Sequence, residues 1–158
     1  MMYTGIRIRI FFVSMAWMVL LTACQSATPP PTISAATVAE FTLAIDQIVT
    51  ITDTELTIKL IGVSNDERCP SEIECAASGP VSVSLSVQVG ETDPTSINLQ
   101  TLTDNNGRSP EMQFEGIEDR KIFEGYMIRI VGVQPYPRNW SSTIKDSEYR
   151  VTLVVSKE

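Results

Sequence analysis

From residue 39 onward, apolar and polar side chains alternate with a period of two. Phe41, Leu43 and Ile45 alternate with polar neighbours, and Ile48 to Ile51 extends that segment. Leu56, Ile58 and Leu60 resume the alternation after a turn at Thr52–Asp53. Val81, Val83, Leu85, Val87 and Val89 are separated by Ser82, Ser84, Ser86 and Gln88, the cleanest such run in the chain. Ile97 and Leu99 follow a turn through Gly90 to Pro94, and Tyr126, Ile128 and Ile130 alternate with Met127, Arg129 and Val131. Tyr149, Val151, Leu153 and Val155 close the chain. This period predicts half-buried antiparallel strands. Asp104-Asn105-Asn106-Gly107 predicts a turn. No segment sustains a helical period, and residues 71–77 allow one helical turn at most. Seven or eight short strands predict an all-β fold, a single antiparallel β-sandwich of immunoglobulin-like type, with a small closed barrel as the rival.

Two strand patterns echo each other: Ile58-Lys59-Leu60-Ile61-Gly62-Val63 and Ile128-Arg129-Ile130-Val131-Gly132-Val133. Each precedes a long irregular loop, Asp66 to Gly79 in one case and Pro135 to Ile144 in the other. The shared glycine predicts a bulge in each strand. If the echo is structural, the two loops leave the same end of the fold.

The first 37 residues differ in character. Arg7 and Arg9 precede an apolar run, Ile10 to Leu21, which ends in Leu21-Thr22-Ala23-Cys24. About a dozen residues rise ~18 Å as a helix, short of a ~30 Å hydrocarbon core. That length suits a secretory h-region better than a permanent span. Together these features resemble a bacterial lipoprotein signal peptide. The resemblance implies cleavage before Cys24, lipidation of that cysteine (thioether-linked diacylglycerol, often with a further acyl chain such as palmitate), and membrane attachment outside the cytosol. Two chains at ~0.8 kcal/mol per buried methylene anchor firmly. Gln25 to about Thr37, with Pro29, Pro30 and Pro31, reads as a tether reaching up to ~40 Å. The expected organisation is a signal peptide at 1–23, a lipidated, proline-rich tether at 24–37 and a β-domain at 38–158.

Charge and missing residue types narrow the function. The chain carries −7, and Arg7 and Arg9 are the only charged residues before Cys24, so the remainder carries −9. Such a domain repels phosphate backbones, which argues against nucleic-acid partners. Histidine is absent. Its absence removes Ser-His-Asp and Cys-His nucleophilic systems and histidine-based metal sites. No cofactor is expected.

With Cys24 assigned to lipid, Cys69 and Cys75 remain. In an oxidising compartment a close pair reads as a disulfide, and a metal pair lacks further ligands. Its seven-residue loop contributes about 2 kcal/mol by chain entropy. The spacing differs from the Cys-x-x-Cys of active dithiols. Arg68 is expected to pair with Asp66 or Glu67 at the surface, a contact of ~0–1 kcal/mol. Asp66-Glu67-Arg68-Cys69-Pro70, the second cysteine Cys75 and Gly79 resemble an uncharacterised family of small secreted bacterial β-domains, often lipoproteins, with an Asp-x-Arg-Cys-Pro-x4-Cys motif. Pro135-Tyr136-Pro137 and the strand opened by Tyr149 also resemble it. Where that family often places an aromatic, this chain has Ala76, Ala77 and Ser78.

The second loop holds Tyr136, Arg138 and Trp140, residue types enriched in contact hot spots. These three are the expected partner-binding residues; the alternative is that Tyr136 and Trp140 simply cover one end of the fold. Glu111, Glu115, Glu118 and Asp119 form an acidic stretch that reads first as a solvated face. The leading expectation is a monomeric, non-enzymatic binding module that contacts a protein or glycan of the cell envelope. The alternatives are a carboxylate-dependent envelope hydrolase, whose two acids must lie about 5–10 Å apart in a concave site, and a protease-inhibitor-like module with protruding end loops.

Overall fold

The computed structural model describes residues 30–158 apart from 53 and 142. The lipoprotein signal, Cys24 and the first part of the expected tether lie outside the described residues. Nine strands are found among those described: β1 (Thr32–Ala35), β2 (Glu40–Ala44), β3 (Ile48–Ile51), β4 (Leu56–Asp66), β5 (Val81–Val89), β6 (Thr95–Thr101), β7 (Arg120–Phe123), β8 (Tyr126–Gln134) and β9 (Arg150–Lys157). They form a five-stranded sheet in the order β1-β3-β4-β5-β6 and a four-stranded sheet in the order β2-β9-β8-β7. The fold is all-β, with the two sheets packed together. One turn of 3-10 helix, Asp146–Glu148, precedes β9.

The alternating side chains become the core. Leu43, Ile51, Ile58, Leu85, Leu99, Ile130 and Leu153 are fully buried and come from seven different strands across both sheets. Burying each such side chain stabilises by about 1.5–3 kcal/mol. The intervening serines, threonines and charged residues form the outer faces.

Three strand assignments change. Residues 32–35, expected in the tether, form β1, which pairs in parallel with β3 through Thr32↔Ile48 to Ala35↔Ile51. Ile48 N–H donates to the Pro31 carbonyl, so the domain is under way before residue 38. Only Ile33 and Ala35 of β1 pack on the core, too few to register as a period. Phe41 to Ile51, expected as one extended segment, is two strands in different sheets. Asp46 has φ 64°, and this left-handed step turns the chain from β2 into β3. β7 was not anticipated, because two of its four residues are charged; Phe123 packs on the core. Glu124 (φ 48°) and Gly125 (φ 78°) make the tight turn into β8, the left-handed pair that a two-residue hairpin favours.

The sequence echo is structural. In β4 the register with β5 slips between Leu60 and Gly62, and in β8 the register with β9 slips between Ile130 and Gly132. Each bulge inserts one residue, Ile61 or Val131, and shifts the inward set by one. Ile58, Leu60 and Val63 therefore face the core in one sheet, as Ile128, Ile130 and Val133 do in the other. The two glycines serve different ends. A Cβ on Gly62 would meet open space, whereas one on Gly132 would lie 2.9 Å from the Gly107 carbonyl oxygen. The expected turn at Asp104–Gly107 forms and lays its chain over the bulge of β8, with Ser109 N–H bonding the Val131 carbonyl and Val133 N–H bonding the Gly107 carbonyl, both at 2.8 Å. This crossing also buries Val131, which the simple alternation placed on the outer face.

Candidate functional site

The loops that follow the two bulges meet at one end of the sheets. Ser71 N–H donates to the Pro137 carbonyl (3.0 Å) and Glu72 N–H to the Arg138 carbonyl (2.9 Å). The Cys69 and Cys75 sulfurs are bonded, 2.15 Å apart, so the disulfide closes the segment that makes this backbone contact. Gly79 lies against the base of the same loop: its N–H donates to the Glu67 carbonyl at 2.9 Å, and a Cβ there would stand 2.6 Å from that of Glu67.

Arg68 holds the two loops together from inside. Asp66 and Arg68 are two residues apart in extended chain, so their side chains lie on one face. The expected surface pair is instead buried, with Arg68 only 1% exposed. Its Nε donates to Asp66 Oδ1 (2.8 Å) and its Nη2 to Oδ2 (2.6 Å), a bidentate fork. Nη1 donates to the Val133 carbonyl (2.8 Å) near the end of β8 and Nη2 also to that of Pro135 (2.9 Å) just beyond it. The guanidinium lies over the Tyr136 ring, 5.1 Å from its centroid, within cation–π range. The first sheet is thereby bolted to the second.

Two tyrosines complete the cluster. Tyr136 Oη donates to the Cys69 carbonyl at 2.8 Å, and Tyr149 Oη donates to Asp66 Oδ2 at 3.0 Å. Burial alone would raise the Asp66 carboxyl; the hydrogen bonds and charge of Arg68 outweigh it and hold the group below its ordinary value. Burial, reinforced by the Asp66 charge, pushes the Tyr149 phenol up to about 12.

The three expected partner-binding residues share this end but not one environment. Tyr136 is half-buried and turned toward Arg68. Arg138 is exposed, and its Nε (3.1 Å) and Nη2 (2.8 Å) grip Glu72 Oε1. Asn139 Nδ2 bonds the other oxygen of Glu72 at 3.1 Å, and these two partners hold the Glu72 carboxyl below its ordinary value, Asn139 contributing most. Trp140 is 73% exposed. It borders an open hollow of about 190 Å³ whose floor includes Asp66, Arg68 and Tyr149. The Asp-x-Arg spacing signalled an ion pair but placed it at the surface; nothing in the sequence signalled its burial, its carbonyl partners at Val133 and Pro135 or the hydroxyl of Tyr149.

The carboxylates do not gather. Asp66 is occupied by Arg68, and Asp119 is buried and paired bidentately with Arg120 at 2.9 and 3.0 Å. Glu67, Glu111, Glu115 and Glu118 are exposed. Among the described residues no group of three or more Cys, Asp or Glu side chains is placed to hold a metal ion, and no helix is long and apolar enough to cross a membrane. No family model, no curated protein and no solved structure matches the chain.

Proposed function

We propose that this chain is a lipid-anchored, extracytoplasmic binding module of the bacterial cell envelope, built on an immunoglobulin-like β-sandwich and contacting its partner through the loop end that carries Tyr136, Arg138 and Trp140. The observation that carries the partner-binding part is Trp140. A large aromatic at 73% exposure, on a loop stiffened by Pro135 and Pro137 and clasped to the neighbouring loop through Glu72, is a rigid contact residue already oriented for binding. Rigidity of this kind lowers the ordering cost of association, and tryptophan and arginine dominate contact energies where they occur. The anchoring part is supported by Arg7, Arg9, the short apolar run and Leu21-Thr22-Ala23-Cys24. The module acts as a monomer and takes an envelope protein or glycan. A non-enzymatic role is supported by the two best-buried carboxylates, Asp66 and Asp119, each being neutralised by an arginine rather than standing ready as acid or base.

Proximity labelling and pull-down from cells carrying the anchored chain test this reading. Trp140→Ala is expected to abolish capture of the partner, and unchanged capture would place the contact elsewhere. Growth with a fatty-acid probe is expected to label the wild type and not Cys24→Ser; an unlabelled wild type would overturn the anchor.

A further inference from the structure

Far from the loop end, the outer face of the four-stranded sheet carries a row of charges that is incomplete. The strand register aligns Glu40 of β2 with Val154 of β9, Val154 with Arg129 of β8, and Arg129 with Arg120 of β7. With strands ~4.8 Å apart, the four side chains form one line across the sheet. Glu40 is engaged by Arg108 through both carboxylate oxygens, at 2.9 and 3.0 Å. Arg120 is engaged by Asp119 in the same bidentate manner. Arg129 stands between these pairs with no ion pair among the described residues, and its Nη1 is buried without a hydrogen-bond acceptor. Like charges directly opposite on neighbouring strands destabilise a sheet, and a buried donor left unpaired costs further. The charge of Glu40 reaches Arg129 and Asp119 neutralises Arg120, but no acceptor meets Arg129 Nη1, and that nitrogen is the local cost left on this face.

The missing element is one acid. Both neighbouring arginines on this face already show the group that fits, a carboxylate taken by the guanidinium fork. The surroundings indicate what carries it. Ile122, two residues from Arg120 on the outer side of β7, is 55% exposed and registers opposite Met127, two residues from Arg129. Arginine beside an exposed isoleucine and a half-buried methionine is a protein-contact composition. A guanidinium nitrogen left without an acceptor on this face is complementary to an acidic side chain, in a chain whose other exposed charge is mostly negative.

We infer that the outer face of the four-stranded sheet is a second docking surface, receiving a protein segment in which an acidic side chain seats on Arg129 and an adjacent apolar one covers Ile122 and Met127. This surface is independent of the loop end around Trp140.

The test uses the isotope-labelled full chain in detergent and the blocked peptide acetyl-Glu-Leu-Glu-amide. Titration is expected to give a saturable shift of the Arg129 Nε–Hε resonance together with the Ile122 methyls. The acetyl-Gln-Leu-Gln-amide analogue is expected to give none. Arg129→Gln is expected to weaken binding at least about tenfold, with Arg129→Lys intermediate because it keeps the charge and loses the fork. Trp140→Ala is expected to leave the titration unchanged, which separates this surface from the loop end. Equal response to both peptides, wild-type affinity in Arg129→Gln, or loss of binding in Trp140→Ala would each overturn the inference. So would a wild type that ignores the acidic peptide yet shifts the same resonances with phosphatidylglycerol vesicles, since the ligand would then be a lipid phosphate. Should Arg129→Gln fail to fold, the peptide comparison on the wild type and Arg129→Lys decides alone.

Discussion

Tyr149 donates its phenolic hydrogen to Asp66 across 3.0 Å, tying the last residue of β4 to the residue that leads into β9 in the opposite sheet. Because Asp66 also holds Arg68, the three side chains are one unit. Asp66→Asn leaves the buried guanidinium without its counter-charge and is expected to cost about 3–5 kcal/mol, whereas Tyr149→Phe removes a single hydrogen bond to a charged group and is expected to cost about 1.5–3 kcal/mol. Urea midpoints of the two variants against wild type check the order; a Tyr149→Phe loss as large as that of Asp66→Asn would break the proposed hierarchy.

The same unit predicts how stability responds to pH. The Asp66 carboxyl lies below its ordinary value in the folded chain, so its contribution is present above the unfolded value and is lost as pH falls through the folded one. Tyr149 runs the other way. Its phenol is raised from 10.0 to about 12, so the folded chain holds that proton more tightly, and the contribution is intact below pH 10 and lost as pH rises toward 12. Phenolate absorbance should show one tyrosine ionising late, and Tyr149→Phe should remove that late step; its persistence in the variant would assign it to another tyrosine.

Opening the Cys69–Cys75 disulfide is expected to reach Trp140. The closed segment contains Glu72, which grips Arg138 and Asn139 immediately before the tryptophan. The double variant Cys69→Ser/Cys75→Ser should lose about 2 kcal/mol by chain entropy. Trp140 is the only tryptophan after residue 23, so its emission in the chain lacking the signal reports this loop directly. An unaltered tryptophan anisotropy in the double variant would show that the clasp does not transmit to Trp140.

The two bulge glycines should differ in their response to the same change. Gly132→Ala places a methyl 2.9 Å from a backbone oxygen that cannot turn away, and is expected to cost about 1–3 kcal/mol. Gly62→Ala meets open space and is expected to stay within about 0.5 kcal/mol of wild type. Thermal melts of both variants decide, and similar losses would remove the close crossing of the 107–109 segment as the reason for Gly132.

Much of the fold was legible because burial on one face imposes a period of two, and β5 shows it residue by residue. What escaped was structure made by distant pairing. β1 has no pattern of its own and exists because β3 lies beside it in parallel; β7 is half charged and is set by the Glu124–Gly125 turn. At the loop end, the disulfide and the meeting of the two loops could be anticipated from Cys69, Cys75 and the strand echo. The depth of Arg68 could not, since an arginine beside two acids normally sits in water, and only the carbonyls of Val133 and Pro135, some sixty-five residues away, make its burial tolerable.

The parallel pairing of β1 also has a mechanical meaning. Under the proposed anchorage, any pull between membrane and partner enters the domain at residue 32, on a four-residue strand at the margin of a sheet. Peeling that strand away releases slack of ~3.3 Å per residue while β3 and the packed interior stay in place. Under that anchorage, β1 would be a short extensible leash folded against the side of the domain.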